Sequence, residues 1–211
     1  MRAQAISPVD LERYPIDDLD GPAGRALVAR CRSELAAVGA CDLPGFLRRQ
    51  AVEQIVAEIP QWDAAPHRTD TTHNIEFSGK EAELADDDPL RLRVRSAKSL
   101  IAYDQIPDAS PLRAVYESDE LTAFVGAALD VEPLFRQSDE IGALNVMLYE
   151  PGDELGWHFD NADFVVTLML QSRRPEARSS SCPCCAPPMT RTRGAWPRSW
   201  PATAPASHHE P

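Results

Sequence analysis

Apolar residues recur with helical spacing through the first 130 residues of the chain. Gly21 followed by Pro22 predicts the start of a helix that Gly39 ends. Its apolar stripe consists of Leu27, Cys31 and Leu35. A second helix is predicted over residues 52–59, because four apolar side chains lie at i, i+3, i+4 and i+7. The short apolar segment between these helices, residues 41–47, predicts a strand.

Asp88, Ser110 and Ser118 are predicted to be N-cap residues that begin helices. Asp88 precedes a proline, and the apolar spacing that follows predicts a helix over residues 88–101. The apolar stripe of this helix consists of Leu90, Val94, Ala97 and Ile101. Ser110 and Ser118 predict two further helix starts. The first 130 residues are therefore predicted to be rich in helix.

The spacing changes to strict alternation after residue 133. Residues 141–150 are predicted to form a strand, because apolar and mixed positions alternate with period two. One face carries Leu144, Val146 and Leu148, and the other carries Asn145, Met147 and Tyr149. Residues 151–153 have turn chemistry. Residues 164–170 are apolar on both faces, which predicts a strand in the middle of a covered sheet.

Length and charge restrict the class of protein. At 211 residues the chain has room for one domain with a sizeable core. Its net charge of −12 disfavours a nucleic-acid surface, because phosphates would be repelled, and favours small-molecule or protein partners. The sequence has neither a signal-like N-terminus nor a run of roughly 20 apolar residues, so we expect a cytoplasmic protein without membrane association. Cys31 and Cys41 are predicted to be small core residues.

The composition changes at Ser172, which divides the chain into residues 1–171 and 172–211. The second part contains no Leu, Ile, Val, Phe or Tyr, and it carries a net charge of +4 against −16 for the first part. Such a segment buries too little surface to offset its ordering entropy, so it is predicted to be disordered. Its Pro, Ser, Arg and Cys content fits either a natural low-complexity tail or GC-rich coding DNA read out of frame, and the second interpretation is favoured.

His158 and Asp160 form the candidate chemical site. They are two residues apart at the start of a strand-like segment, so their side chains are predicted to project from one face and to chelate one cation. Imidazole and carboxylate suit divalent iron, for which two histidines and one carboxylate form a facial triad with open positions for cosubstrate and oxygen. In isolation a His-x-Asp tripeptide more often marks a surface pair or a turn cap, so its context decides the interpretation.

That context is the segment NVMLYEPGDELGWHFDNADFVVTLMLQ, residues 145–171. It resembles, nearly end to end, the iron(II)/2-oxoglutarate-dependent oxygenases that act on free amino acids, a group of hydroxylases and radical halogenases. TTHNIEF at residues 71–77 also fits, and the resemblance extends over about residues 10–171. It implies an α+β fold with a double-stranded β-helix (jelly-roll) core, incomplete at the C-terminus, and flanking N-terminal helices.

The resemblance also implies a chemistry. It implies Fe(II) as the metal, 2-oxoglutarate as cosubstrate, and a small polar metabolite, a free amino acid, as substrate. His158 and Asp160 match the iron ligands, and Asn145 and Tyr149 are expected to face the 2-oxoglutarate pocket, unless they are ordinary inward polar residues. Asp160 fills the position that the halogenases leave open for halide, so hydroxylation is the implied reaction.

The remaining candidate site residues have weaker support from the sequence. Trp157 and Asn161 flank the metal ligands and are candidate substrate contacts, although Trp157 alternatively packs in the core. His67 and His73 lie in a polar stretch, and each is predicted to be exposed or bonded to the backbone. The cysteine cluster at residues 182–185 lacks a second half at zinc-site spacing and receives no role.

The chain departs from the family beyond Leu170, where the resemblance places the second iron histidine and the basic residue that pairs with 2-oxoglutarate. His208 and His209 are the only later histidines, and Arg191 and Arg193 are no better placed. With two of three ligands, the chain is predicted to bind iron weakly and to show little or no turnover. The alternatives are a catalytically silent or metal-binding protein of the same fold, and a zinc hydrolase or cupin-like metal protein.

Overall fold

The computed structural model describes residues 7–76, 85 and 88–172. This part of the chain forms four α-helices and a three-stranded sheet, which confirms the α+β class. The helices are α1 (Pro22–Val38), α2 (Arg49–Glu58), α3 (Pro111–Tyr116) and α4 (Asp119–Leu129), and the strands are β1 (His67–His73), β2 (Val94–Ile101) and β3 (Val146–Leu148). The predictions for residues 173–211 and for Phe77 lie outside the described residues.

Local capping chemistry accounts for the end of α1 and the starts of α3 and α4, and the four helices confirm the corresponding predictions. Gly39 ends α1 in the left-handed conformation, with φ 74°, which a glycine adopts without strain. The Ser110 hydroxyl accepts the Leu112 N–H at 3.3 Å, and the Ser118 hydroxyl accepts the Leu121 N–H at 3.0 Å. No helix in the described part of the chain is long and apolar enough to cross a membrane.

One hydrophobic cluster joins the helices to the sheet. Ile55 of α2, Phe124 of α4 and Ile101 of β2 are all within it, at 0%, 4% and 1% exposure. Cys31 is buried in the same cluster and Cys41 packs against it, which confirms the prediction that both thiols are core residues. The core therefore fixes the sheet against the helical layer.

The helix predicted over residues 88–101 is wrong. The Asp88 carboxylate accepts the Leu90 N–H at 2.9 Å, but this cap starts only a single 3-10 turn, Pro89–Arg91, before the chain extends as β2. β2 is the central strand of the sheet, with antiparallel β1 on one edge and antiparallel β3 on the other. In β2, Val94 and Ala97 are three residues apart and therefore lie on opposite faces of the strand. Pairing with the distant strands β1 and β3, rather than local apolar spacing, decides the structure here.

The strand predicted over residues 41–47 is also wrong. Only Leu47 forms a bridge, with Val9, and the rest of the segment turns. Pro44 has no N–H to donate to a ladder, and Gly45 takes φ 74°. These two residues interrupt the apolar run that suggested a strand.

The strand predicted over residues 141–150 is shortened to β3, but its two faces are as predicted. The inward residues, packed in or against the core, are Leu144, Val146 and Leu148. Met147 and Tyr149, on the opposite face, are 47% and 45% exposed. The period-two alternation therefore predicted the orientation of side chains correctly and overestimated the length of the strand.

Residues 164–170 form no strand, contrary to prediction. Val165, Val166 and Met169 are 58%, 56% and 78% exposed, while Leu168 and Leu170 pack against the core. Within the described residues the sheet has only three strands, and none of them pairs with this segment. An apolar run becomes a covered strand only where neighbouring strands exist to bond it.

Candidate metal site

The segment that carries His158 returns to the sheet along β2. After the turn at residues 151–153, the Glu154 carbonyl accepts the Ala97 N–H at 2.8 Å. Two residues later the Gly156 N–H donates to the Ser96 hydroxyl at 3.0 Å. These bonds place the residues before His158 alongside the central strand.

A second contact holds the chain on the other side of His158. The Phe159 N–H donates to the Ile75 carbonyl at 2.7 Å, just beyond the end of β1. Residues 154–160 are irregular rather than the strand start that the sequence predicted. Separate hydrogen bonds from its main chain to β2 and to the residue beyond β1 hold this segment, in place of regular strand pairing.

Gly156 is required for this close approach. A Cβ atom at residue 156 would lie 2.6 Å from the Arg95 carbonyl oxygen and 2.8 Å from Cγ2 of Val94. Both neighbours belong to β2, whose backbone is held on both edges. No other residue fits at this position without moving the segment away from the sheet.

His158 and Asp160 are brought together as the sequence predicted. The His158 Nε2 and Asp160 Oδ1 atoms are 3.3 Å apart, with the imidazole 16% exposed and the carboxylate 53% exposed. Two ligands at adjacent corners of an octahedral ion, each about 2.1 Å from it, lie about 3 Å apart. The observed separation therefore suits two neighbouring ligands of one divalent cation.

The hydrogen bonds of the imidazole support the same interpretation. His158 Nδ1 lies 2.7 Å from the Gly156 carbonyl oxygen, which can only accept, so Nδ1 carries a proton. In the neutral ring Nε2 then presents a lone pair towards the Asp160 carboxylate, which is also an acceptor. A cation between the two groups, either a proton or a metal ion, relieves this opposition.

His73 lies beside this pair but does not complete it. Its ring is 6.0 Å from the His158 ring between centroids, nearly perpendicular to it, and the residue is 8% exposed. Nδ1 bonds the Asn74 carbonyl at 2.8 Å and Nε2 bonds the Ser96 hydroxyl at 2.7 Å. The predicted backbone-bonded state is thus confirmed for His73, while His67 is exposed.

The other predicted site residues are on the surface. Asn145 is exposed, and its amide is 3.4 Å from the Gly142 carbonyl. Tyr149 follows β3 on the same side as Asn145, and the Tyr149 hydroxyl is 3.6 Å from Sδ of Met147. Asn161 is exposed and Trp157 is 65% exposed, so the alternative that Trp157 packs in the core is wrong. The structure brings together His158 and Asp160, and it leaves these four on open faces.

An ion pair fixes the turn that leads into the site. Arg68 of β1 binds both carboxylate oxygens of Asp153 at 2.5 and 2.6 Å, and the Asp153 side chain is 3% exposed. The same carboxylate accepts the Glu150 N–H at 2.8 Å. The Arg68 guanidinium, followed by this N–H, lowers the pKa of Asp153 to about 2. The turn is thus anchored to the outer strand by a charged, bidentate contact.

Sequence reasoning missed Ser96 and Arg68 as partners of the site. Both lie far from residue 158 in sequence, and neither is part of a motif. The only signal for β1 was its three threonines, which are β-branched and favour strands. Pairing of β1 with β2 then brings these residues to the segment.

The described residues offer two metal donors and no third. No group of three His, Cys, Asp or Glu side chains that could hold a metal ion occurs in residues 7–76, 85 and 88–172. No protein-family model matches the chain, and neither a curated protein nor a solved structure does. His158 and Asp160 fit two of the three positions of an iron facial triad.

Proposed function

We propose that this chain is an iron(II)/2-oxoglutarate-dependent oxygenase of the hydroxylase type, impaired by loss of the distal part of its site. The observation that carries the proposal is the 3.3 Å separation of His158 Nε2 and Asp160 Oδ1. This separation suits adjacent ligands of one octahedral ion, and it occurs inside a segment that resembles the oxygenases of free amino acids. The expected substrate is a small polar metabolite, a free amino acid.

In this proposal His158 and Asp160 hold Fe(II), which together with 2-oxoglutarate and dioxygen supplies the oxidising power to hydroxylate a C–H bond. The Gly156 carbonyl keeps the proton of His158 on Nδ1, so that Nε2 is the ligand atom. The Asp160 carboxylate occupies the position that a halogenase leaves open for halide. Hydroxylation is therefore the expected outcome.

Four residues are proposed to bind the organic molecules. Asn145 and Tyr149 flank β3 on its exposed side, and we assign them to 2-oxoglutarate. Trp157 and Asn161 flank the metal ligands and are assigned to the substrate. All four are exposed on the surface of the described chain, and in this proposal the absent part of the fold would cover them.

The incomplete pocket belongs to a proposed jelly-roll core. The sheet of β1, β2 and β3 is assigned to one part of that core. The missing strands are those that carry the second iron histidine and the basic residue for 2-oxoglutarate. In their place the sequence has the aliphatic-poor residues 172–211, which we attribute to a lost reading frame.

The proposal is tested by comparing this chain with a reading-frame-corrected chain. Removal of one insertion or deletion near codon 171 is expected to restore a histidine and an arginine downstream. The corrected protein should release succinate from 2-oxoglutarate in the presence of Fe(II), oxygen and a panel of free amino acids. The present 211-residue chain should release little or none.

His158→Ala in the corrected chain is the matched control, and it should abolish succinate release. The exposed His67→Ala variant should retain it. The proposal is overturned if no correction of the coding DNA restores both residues, or if the corrected protein shows no iron-dependent turnover. Efficient turnover by the present chain would overturn the assignment of impairment.

A second candidate function is that of a catalytically silent metal-binding protein of the same fold. It is favoured by the absence of a third protein ligand among the described residues. Metal binding by the present chain, together with a natural coding sequence that has no frame error, would support this candidate over the first.

A further inference from the structure

We propose that Ser96 and His73 are positioning residues that aim the imidazole of His158 at the bound metal ion. This inference rests on the proposed function, because it concerns the metal site that the oxygenase assignment requires. It adds His73 of β1 and Ser96 of β2. In the oxygenase assignment, neither residue contacts the metal or the substrate.

The directions of the hydrogen bonds around His73 follow from their chemistry. The Asn74 carbonyl can only accept, so His73 Nδ1 donates to it at 2.8 Å. In the neutral ring His73 Nε2 must then accept, and its partner is the Ser96 hydroxyl at 2.7 Å. The hydroxyl proton of Ser96 is thereby committed to His73. Its oxygen remains an acceptor for the Gly156 N–H at 3.0 Å.

We call the hydrogen-bonded chain from His73 through Ser96 and Gly156 to His158 the relay. It passes through the two peptide units that flank the Gly156 Cα atom. The N–H of Gly156 is held by Ser96, and its carbonyl oxygen is held 2.7 Å from His158 Nδ1. A displacement of Gly156 is therefore passed directly to the ring of His158. Outer partners of this kind fix the tautomer and orientation of a metal-binding histidine.

Burial protects the hydrogen bonds that link His73, Ser96, Gly156 and His158. Ser96 and His73 are 6% and 8% exposed, so water competes poorly for their hydrogen bonds. The backbone contact between Phe159 and Ile75 at 2.7 Å holds the far side of His158. Between these two contacts, the His158 ring has Nδ1 on the Gly156 carbonyl at 2.7 Å and Nε2 3.3 Å from Asp160 Oδ1.

The test is a Co(II) titration, followed by the absorption of bound cobalt, of the full-length chain and of two serine variants. Ser96→Ala removes the hydroxyl that joins His73 to Gly156, and it should weaken Co(II) binding about 10- to 100-fold. Ser99→Ala is the matched control, because it makes the same substitution on the same strand without touching the relay. Its affinity should stay within about twofold of the parent, and Ser96→Thr, which keeps a hydroxyl, should recover part of the loss.

The outcomes separate the inference from the proposed function. Absence of Co(II) binding that depends on His158 in the parent chain overturns the proposed function and the inference with it. Parental Co(II) binding that depends on His158, with equal affinities in Ser96→Ala and Ser99→Ala, overturns the positioning role alone.

A measurement on the unsubstituted chain covers the case in which Ser96→Ala does not fold. Nitrogen-15 NMR of the imidazoles should show the proton on Nδ1 in both His73 and His158, and the Gly156 amide should exchange slowly with solvent. Zinc should shift the Nε2 signal of His158 and leave that of His73 in place. A proton on Nε2 of His73, or rapid exchange at Gly156, would contradict the relay.

Discussion

At the scale of single residues, main-chain groups hold His158 and a charged pair holds the turn before it. The Gly156 carbonyl sets the tautomer of the imidazole, while Arg68 and Asp153 attach the turn to β1. The contact between Arg68 and Asp153 depends on the ionisation of a carboxylate whose pKa is lowered by its partner.

The pH dependence of the Asp153 contact follows from the direction of that shift. The pKa of Asp153 is about 2 in the folded chain and near its ordinary value of 3.8 in the unfolded chain. Its contribution to stability is therefore full above about pH 4 and is lost as the pH falls towards 2. Asp153→Asn should lower the thermal midpoint at pH 7, and its difference from the parent should shrink towards zero near pH 2.

Thermal unfolding followed by circular dichroism between pH 7 and pH 2 measures this difference. Asp17→Asn, at an exposed carboxylate, is the control and should change the midpoint little at any pH. A constant difference between Asp153→Asn and the parent over the whole range would show that the ion pair does not stabilise the fold.

The sequence was sufficient to predict that His158 and Asp160 lie close together, but not which residues support them. His158 and Asp160 are separated by one residue, so any extended backbone brings them to one side. Ser96 and His73 reach the site only because β1 pairs with β2 and the segment then returns along β2. Contacts between residues about 60 or more positions apart have no local signature in the chain.

At the scale of elements, helices with a capping residue were predictable and strands that depend on distant partners were not. Ser110 and Ser118 each accept an N–H of the first turn, so a local pattern was enough to locate α3 and α4. β2 was mistaken for a helix because Val94, Ala97 and Ile101 have helical spacing, three and four residues apart. Its identity is decided by β1 and β3 at its two edges.

The cap of α4 gives a prediction at this scale. Ser118→Ala removes the acceptor of the Leu121 N–H, and it should lower the free energy of unfolding by about 1 kcal/mol. Ser118→Thr keeps an acceptor oxygen and should recover most of this loss. Urea unfolding of the two variants and the parent measures the effect, and equal losses in both variants would argue against a capping role.

At the scale of the whole molecule, residues 164–170 leave apolar side chains exposed on the surface of the described chain. Val165, Val166 and Met169 are more than half exposed, whereas Leu168 between them packs against the core. Exposed apolar residues in a row favour self-association. Under the proposed function, the strands expected beyond Leu170 would cover this surface.

Paired lysine substitutions test this account of residues 164–170. Met169→Lys should raise the soluble concentration of the protein and shift the thermal midpoint little, because the side chain is 78% exposed. Leu168→Lys should lower the midpoint clearly, because it buries a charge against the core. Sedimentation of concentrated samples and thermal unfolding measure the two effects. Equal destabilisation by both substitutions would contradict the described arrangement.

The central claim is that His158 and Asp160 bind one divalent iron together. Anaerobic Fe(II) titration of the full chain, of His158→Ala, of Asp160→Ala and of the double variant tests it most directly. We predict weak binding of a single ion by the parent, at least about tenfold weaker binding in each single variant, and little further loss in the double variant, since both ligands serve one ion. Fe(II) binding that is unchanged when either residue is replaced would contradict the claim.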